Sequence, residues 1–462
     1  MLNITKTINQ RKEMIISIFA LSWPAVLEQA LETTVQYVSS AMVGRLGAEA
    51  SAAVGLTTTV TWLINSPAFA MDIGILSYIS FCIGAKKLKK AKIAAVQSII
   101  ITIVLGLVMG IITLSISPFL PKWLGASPEI QKNASLYFGI ICIPMLFRVA
   151  IIIFGAVLRA TGDMKTPMKV NLIMNIINIL LNCILIYGNQ TISVGGLKIH
   201  THGAGLGIVG SAIAGAVAYT ISGLLMLFAL YRNRLVSPKG EKIKLNMEVM
   251  GRCIKVGFPV TIEHVGTCLG QVVFSSIVTR LGTLAFAAHS IALTAEEAFY
   301  IPGFGMQSSA STLAGNALGE KNQEKLHQMS VTIIAMATIV MTITGTILFL
   351  FPSFIMSIFI NNPLVIKSGA SILRLVAVSE PLFGALIMLE GIFNGMGDTK
   401  TPVFVSIISM WGVRILSATV CIYKFHLGLK AVWICMICDN VFRFLLLFMR
   451  FLSGAWKKKF NL

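Results

Sequence analysis

The sequence predicts an all-α integral membrane protein with twelve transmembrane helices. They form two parallel six-helix lobes related by pseudo-twofold symmetry. Three observations carry this. The chain of 462 residues is 56% hydrophobic and only 12% charged, against about 25% charged for an ordinary soluble domain. Apolar runs of about 20 residues, the length that crosses a bilayer core, recur from end to end. And the chain states one long pattern twice. WPAVLEQALETTVQYVSSAMVGRLG, from Trp23 to Gly47, returns as FPVTIEHVGTCLGQVVFSSIVTRLG, from Phe258 to Gly282.

Pro24 matches Pro259, an offset of 235 residues, and the register then holds without a gap. Glu28, Gln36 and Arg45 meet Glu263, Gln271 and Arg280. Pro67, Phe69 and Met71 meet Pro302, Phe304 and Met306, and Gly84 and Lys86 meet Gly319 and Lys321. A single period this long marks a duplicated domain, since solenoid repeats are several-fold shorter.

The spans are read at roughly 14–43, 50–83, 93–119, 131–158, 167–188, 207–231, 249–279, 284–317, 328–352, 363–393, 402–423 and 430–450. Residues 1–231 make an N-lobe with helices 1–6, residues 232–248 a polar cytoplasmic linker, and residues 249–462 a C-lobe with helices 7–12. Six spans per lobe bring both lobes in and out on one side, so the repeats are parallel. Of the 37 Lys and Arg, 25 fall on the side of the termini, 8 on the opposite side and 4 within helices, namely Arg148, Arg374, Arg414 and Arg443. This count places Arg159 in the loop between helices 4 and 5. By the positive-inside rule both termini are cytoplasmic. The net charge of +19 is therefore a topology signal. No basic patch with interleaved aromatics suggests nucleic acid. The first apolar run lacks a small-residue cleavage site and stays as helix 1.

The 8 Cys lie almost all inside spans, where Cys behaves as a small hydrophobe. Cys435 and Cys438 form a lone CxxC without two further zinc ligands. His200 and His202 sit in an outer loop, read as a solvated turn in preference to a weak metal site. No metal site or cofactor is expected.

Helix 1 carries Glu28, Glu32, Gln36 and Ser40 at a spacing of four, one slowly drifting face. The repeat supplies Glu263, Thr267, Gln271 and Ser275 on helix 7. A carboxylate inside a span is costly and faces a partner or a wet cavity. Glu28 and Glu32 lie one turn apart with no basic residue nearby in the sequence, so the pair is expected to hold a shared proton. Further acids within spans are Asp72, Glu296, Glu297, Glu380, Glu390 and Asp439, and Asp439 is expected to pair with Arg443 four residues on. Pro67 and Pro302 fall in the middles of helices 2 and 8, where a proline removes a hydrogen bond and kinks the helix. Such bends suit a cavity lining.

The motifs TGDMKTP and MGDTKTP, holding Asp163 and Asp398, fall in cytoplasmic loops. Gly162 and Gly397 are expected to end one helix in a left-handed turn, and Thr166 and Thr401 to cap the next ahead of Pro167 and Pro402. A phosphate loop would require Lys directly after Gly, where Asp stands instead.

Together with MVGRLGAEASAAVGL after helix 1, GTLAFAAHSIAL entering helix 8 and PGFGMQSSASTLAGNALGEKN closing it, these features resemble the multidrug and toxic compound extrusion (MATE) family over nearly the whole chain. The resemblance implies alternating access between two six-helix bundles. It also implies efflux of cationic or amphipathic small molecules against inward proton or sodium flow, with no enzymatic activity, in a monomer of the cell membrane. Many members carry an Asp in helix 1 where this chain has Ser39, and one branch carries a Glu in helix 7 where it has Thr267. The helix-10 Asp has no match. Glu28, Glu32, Glu263 and Glu296 thus become the ion-coupling candidates. Gln36, Ser39, Ser40, Thr267, Gln271, Pro67 and Pro302 are the cavity-lining candidates. A lipid-linked oligosaccharide flippase of the same superfamily is the nearest alternative. It calls for a more basic cavity, and only Arg148, Arg374 and Arg414 could supply one. A polyprenyl-linked transferase would need clustered loop acids at metal-ligand spacing, which are absent. A channel would need a filter-like loop.

Overall fold

A computed structural model describes residues 2–188, 190–194, 197–201, 203–454 and 456–457. Twelve helical spans are present among them. The first three are α1 (Leu2–Gly44), α2 (Ala48–Gly84) and α3 (Leu88–Ile116). α4 is two pieces, Pro128–Cys142 and Met145–Ala160, bent by 50°. α5 (Lys165–Leu185), α6 (Gly207–Arg232), α7 (Met247–Thr279), α8 (Thr283–Gly319) and α9 (Gln323–Leu350) follow. α10 is again two pieces, Pro363–Ala377 and Glu380–Gly395, bent by 57°. α11 runs over 400–423 with a π-helical stretch, Ser409–Ile415, and α12 is Leu429–Leu452.

Eight of these helices, and the two bent pairs, are long and apolar enough to cross a membrane. α7 and α8 match them in length but carry more polar residues: Glu263, His264, Thr267 and Gln271 in one, His289, Glu296 and Glu297 in the other.

The offset of 235 residues between repeats reappears in the helix boundaries. Ala48–Gly84 corresponds to Thr283–Gly319, Pro128–Cys142 to Pro363–Ala377, and Met145–Ala160 to Glu380–Gly395. The left-handed positions repeat as well. Lys86 and Lys321 have φ of 56° and 57°, and Gly162 and Gly397 have 83° and 68°. Identical turn chemistry in both halves gives identical stops, as the helix-ending left-handed residue does elsewhere.

Three expectations change. α2 and α8 run without interruption through Pro67 and Pro302. The sharp breaks fall instead between Cys142 and Met145, at Pro144, and between Ala377 and Glu380, just before Pro381. Each proline removes a donor beside the break, two residues apart in repeat register, with the same result. The outer loop after α5 holds a two-stranded antiparallel hairpin, β1 (Gln190–Val194) and β2 (Leu197–Thr201). The side chains of His200 and His202 lie outside the described residues. Finally, Arg159 is not a loop residue. It sits in the last turn of α4 and is buried.

Packing defines two compact units. One comprises Met1–Val26, Leu76–Lys87 and Ile254–Leu462, the other Leu27–Ile75 and Leu88–Cys253. In the first, Ile18 of α1 joins an apolar core with Met306 and Ala310 of α8, Ile333 of α9, Leu389 of α10 and Leu447 of α12. Glycine permits the closest helix approaches there. A Cβ on Gly84 would stand 2.0 Å from the Asn316 carbonyl oxygen, and one on Gly319 2.2 Å from that of Phe81. In the second unit, Val35, Met174 and Ala218 hold α1, α5 and α6 together.

Candidate functional site

The second unit gathers its charges around Arg159. Its Nη1 donates to Glu28 Oε1 at 2.7 Å and its Nη2 to Asp72 Oδ1 at 2.6 Å. α1, α2 and the end of α4 thus meet at one guanidinium. Glu32, one turn beyond Glu28, is half-buried within electrostatic range of Arg159, Asp72 and Arg148. It makes no hydrogen bond or ion pair among the described residues. The expectation of a helix-1 pair far from any base is therefore corrected. Glu28 has a basic partner, brought by a helix end 131 residues along the chain.

The cluster holds three carboxyls and one guanidinium. Arginine keeps its charge in any protein environment. With every carboxyl ionised, these three acids and Arg159 would carry a net double negative charge in apolar spans, offset only in part by Arg148 near Glu32. Such a deficit is costly, and a proton or a metal cation relieves it.

α5 faces this cluster with four asparagines, Asn171, Asn175, Asn178 and Asn182, all buried. Spacings of four, three and four residues put them on one helical face. Asn171 Nδ2 reaches Glu28 Oε1 at 3.5 Å, and Asn175 Nδ2 donates to the Leu31 carbonyl at 3.0 Å. Ser39 Oγ donates to Asn178 Oδ1 at 2.9 Å, and Asn182 Nδ2 donates to Ser39 Oγ at 3.2 Å. Ser39 is thus part of a neutral hydrogen-bonded set. The spacing of this ladder is visible in the sequence. Gln36 is half-buried and Ser40 exposed.

The first unit repeats the acid but changes its partners. Glu263 on α7 lies near Ser406 and in electrostatic range of Arg443, without an ion pair among the described residues. Ser406 is the repeat equivalent of Asn171, so the acid and its neighbour on the fifth or eleventh helix are both retained. The guanidinium comes from elsewhere: Asn394 of α10 stands at the position equivalent to Arg159, and α12 supplies Arg443 instead. Arg443 donates to Glu390 at 2.6 Å and to Ser406 at 2.9 Å. Asp439 pairs with Arg414 at 2.6 Å. The expected helical pair of Asp439 with Arg443 does not form, because each finds a better-placed partner on another helix. Thr267 spends its hydroxyl on the Glu263 carbonyl of its own helix at 2.8 Å, and Gln271 is exposed.

Glu296 on α8 and Glu380 at the break of α10 are each 1% exposed. Tyr300 donates its hydroxyl to Glu296. Glu380 lies in electrostatic range of Glu296, yet neither of its carboxyl oxygens has a hydrogen-bond partner. In the sequence Glu380 is one span acid among several. Its isolation depends on the α10 break, which no local pattern announces. Glu297 is exposed. Among the described residues no group of three His, Cys, Asp or Glu is placed to hold a metal.

In the GDxKTP loops the capping roles are reversed from expectation. Asp163 accepts from the Thr166 backbone N–H at 3.1 Å and from its hydroxyl at 2.7 Å. α5 begins at Lys165, with Thr166 already in its first turn. A carboxylate reaching a backbone donor three residues on is the stronger cap. Thr401 donates only its hydroxyl to Asp398, at 3.3 Å, and Asp398 also takes Arg450 at 2.7 Å. Asp398→Asn should therefore lower thermal stability more than Asp163→Asn, by about 1–2 kcal/mol against about 1. Thermal denaturation in detergent checks this, and equal losses would contradict it.

Long apolar helices, intramembrane carboxyls set against fewer guanidinium groups, and two broken spans at repeat-related positions define a helical membrane transporter. The MatE family model matches residues 24–184 and 259–420, and the chain belongs to this family. It is 28% identical to a probable multidrug resistance protein NorM of Thermotoga maritima, covering 97% of this chain and 94% of the relative. A probable multidrug resistance protein YoeA of Bacillus subtilis is 25% identical, over 94% of this chain and 93% of the relative. Among solved structures, a MATE protein in complex with MaD3S superposes with a TM-score of 0.87 at 24% identity, covering 96% and 97% of the two chains. An outward-facing multidrug resistance MATE family transporter of the MOP superfamily gives 0.85 at 23%, with the same coverage. The fold is thus the family's, all-α and transmembrane, with twelve helices in two lobes.

Proposed function

We propose that the protein is a secondary active multidrug efflux antiporter. It exports amphipathic or cationic small molecules by alternating access, driven by inward proton or sodium flow. The names of its relatives support the multidrug assignment. The observation that carries the coupling is the surplus of buried carboxyls. Glu28, Glu32 and Asp72 share one guanidinium, and Glu380 beside Glu296 has no hydrogen-bond partner. A proton or sodium ion neutralises this surplus when no substrate is present. An arriving cation competes for the same negative charge. A ligand shifts a conformational equilibrium only by its unequal affinity for the two states, and this competition provides the inequality.

In this reading Glu32, Glu296 and Glu380 are the exchanging groups. Glu28 is held by Arg159 and Glu263 lies in the field of Arg443, while Pro67, Gln36 and Ser40 line a cavity in the second unit and Pro302 one in the first. The two sequence repeats divide at the 232–248 linker, and the N-terminal repeat lends Met1–Val26 and Leu76–Lys87 to the first compact unit. The protein works as a monomer in the cell membrane, with both termini cytoplasmic, as the Lys and Arg distribution supports. It is read as a transporter and not an enzyme. An oligosaccharide-lipid flippase is less well supported, since the relatives are named for multidrug resistance. Everted membrane vesicles test the proposal. They should accumulate a cationic dye only while a proton or sodium gradient is imposed, and dissipating that gradient should release it. Accumulation indifferent to both gradients would contradict antiport.

A further inference from the structure

We propose that Arg148 is the anion-binding group of a substrate subsite within the second unit, one that takes the carboxylate of an amphipathic organic anion or zwitterion. The proposal rests on the transport reading above and narrows its substrate class.

Arg148 lies on the second piece of α4, four residues beyond Pro144, and is 8% exposed. The other arginines buried or half-buried in the spans are paired. Arg159, Arg414, Arg443 and Arg450 each meet a carboxylate at 2.6 or 2.7 Å. Arg148 makes no ion pair and no hydrogen bond among the described residues. Its one close partner is the ring face of Tyr219 on α6, 4.7 Å from the guanidinium carbon. A guanidinium carries five N–H donors and never loses its charge. A ring face compensates charge in part but accepts none of those in-plane donors. Inside a span, donors without an acceptor require water or an anion.

The repeat shows that the fold does not need this cation. The position equivalent to Arg148 is Phe383, whose ring packs on Tyr300 with centroids 4.5 Å apart. One unit fills the place with an aromatic contact, while the other places an arginine there. A structural role would be served by either.

The surroundings specify the ligand. Tyr137 on α4 lies in electrostatic range of both Arg148 and Tyr219, as does Cys142 of Arg148. Tyr137 is buried in an apolar cluster with Val43 and Ile186, and the half-buried Tyr219 holds the guanidinium on its ring face. The ground beside Arg148 is therefore apolar and aromatic and suits the body of an amphipath. The planar guanidinium fork matches a carboxylate in bidentate fashion. Glu32 of α1 lies in electrostatic range of Arg148 but does not pair with it. A zwitterion can therefore place its anion on Arg148 and its cation toward Glu32.

The test uses the full-length protein in nanodiscs, at equilibrium and without any gradient. The probes are a rhodamine bearing a free carboxylate and its methyl ester, followed by fluorescence anisotropy. The wild type should bind the acid about tenfold more tightly than the ester, the order of one charge-assisted bidentate contact. Arg148→Gln should erase that preference and leave ester binding unchanged, and Arg148→Lys should retain part of it. Equal wild-type affinity for the two dyes would overturn the proposal even if Arg148→Gln fails to fold. So would an Arg148→Gln variant that folds and weakens both dyes alike, the signature of a structural role. Because no gradient is present, failure of ion-driven efflux leaves this result unaffected, so the two readings fail separately.

Discussion

Replacing Arg159 by glutamine is expected to abolish transport and to destabilise the folded protein by about 3–5 kcal/mol. The side chain bridges Glu28 and Asp72 at 2.7 and 2.6 Å, and all three groups lie inside the helical spans. Glutamine is too short to reach both and carries no charge. Two carboxyls would then face each other and Glu32 without any cation held among them. The loss arises from leaving buried charge uncompensated and exceeds the net worth of the ion pairs themselves. Protons from the medium can stand in for the missing guanidinium, so the deficit should shrink in acid buffer and grow in alkaline buffer. Thermal unfolding in detergent across a pH series measures this. Arg159→Lys should recover part of the stability, since lysine keeps the charge but not the fork that serves two acceptors. A variant as stable as the wild type, at every pH, would mean that the three-helix junction is held by packing alone.

Glu32→Gln and Glu380→Gln should have the opposite profile. Neither side chain makes a hydrogen bond or ion pair among the described residues. Glutamine nearly preserves the shape, so folding and insertion should be unchanged. Ion-driven efflux should fall at least about tenfold, because the exchangeable charge is gone while the cavity remains. Glu263→Gln should be milder in both respects, since the charge of Arg443 lies within range of that acid and Thr267 offers no second carboxyl beside it. Efflux rates in vesicles, normalised to folded protein, decide the matter. Wild-type rates in both Glu32→Gln and Glu380→Gln would move the coupling to Glu296 or to the Glu390 and Arg443 pair.

What could be read in the sequence follows from the range of the interactions. The offset of 235 recurs to the residue in the helix boundaries, because turn glycines and lysines at fixed offsets act locally. The spans followed from apolar length, with ends that shift by several residues, as for α9, read at 328–352 and found at Gln323–Leu350. The charge partners did not, because they are set by which helices pack together. Asp439 and Arg443 look like a pair at four residues, yet Arg443 meets Glu390, 53 residues away. Arg159 looks like a loop residue because it stands one residue before the end of its helix, and its acids lie 131 and 87 residues earlier. Arg148 could be seen as an intramembrane cation, but nothing in its neighbours along the chain tells whether a carboxylate approaches it. The asparagine face of α5 was legible in principle. Amides carry neither charge nor apolarity, yet at 171, 175, 178 and 182 they fall on one face.

Substrate-dependent ion flux in proteoliposomes tests the central claim most directly. Purified protein, with a cationic dye on the trans side and a pH-sensitive or sodium-sensitive reporter inside, should show ion movement opposite to the dye. That movement should be lost in Glu380→Gln. Dye movement with no accompanying proton or sodium flux, or flux that persists unchanged in both Glu32→Gln and Glu380→Gln, would contradict coupling through the surplus carboxyls.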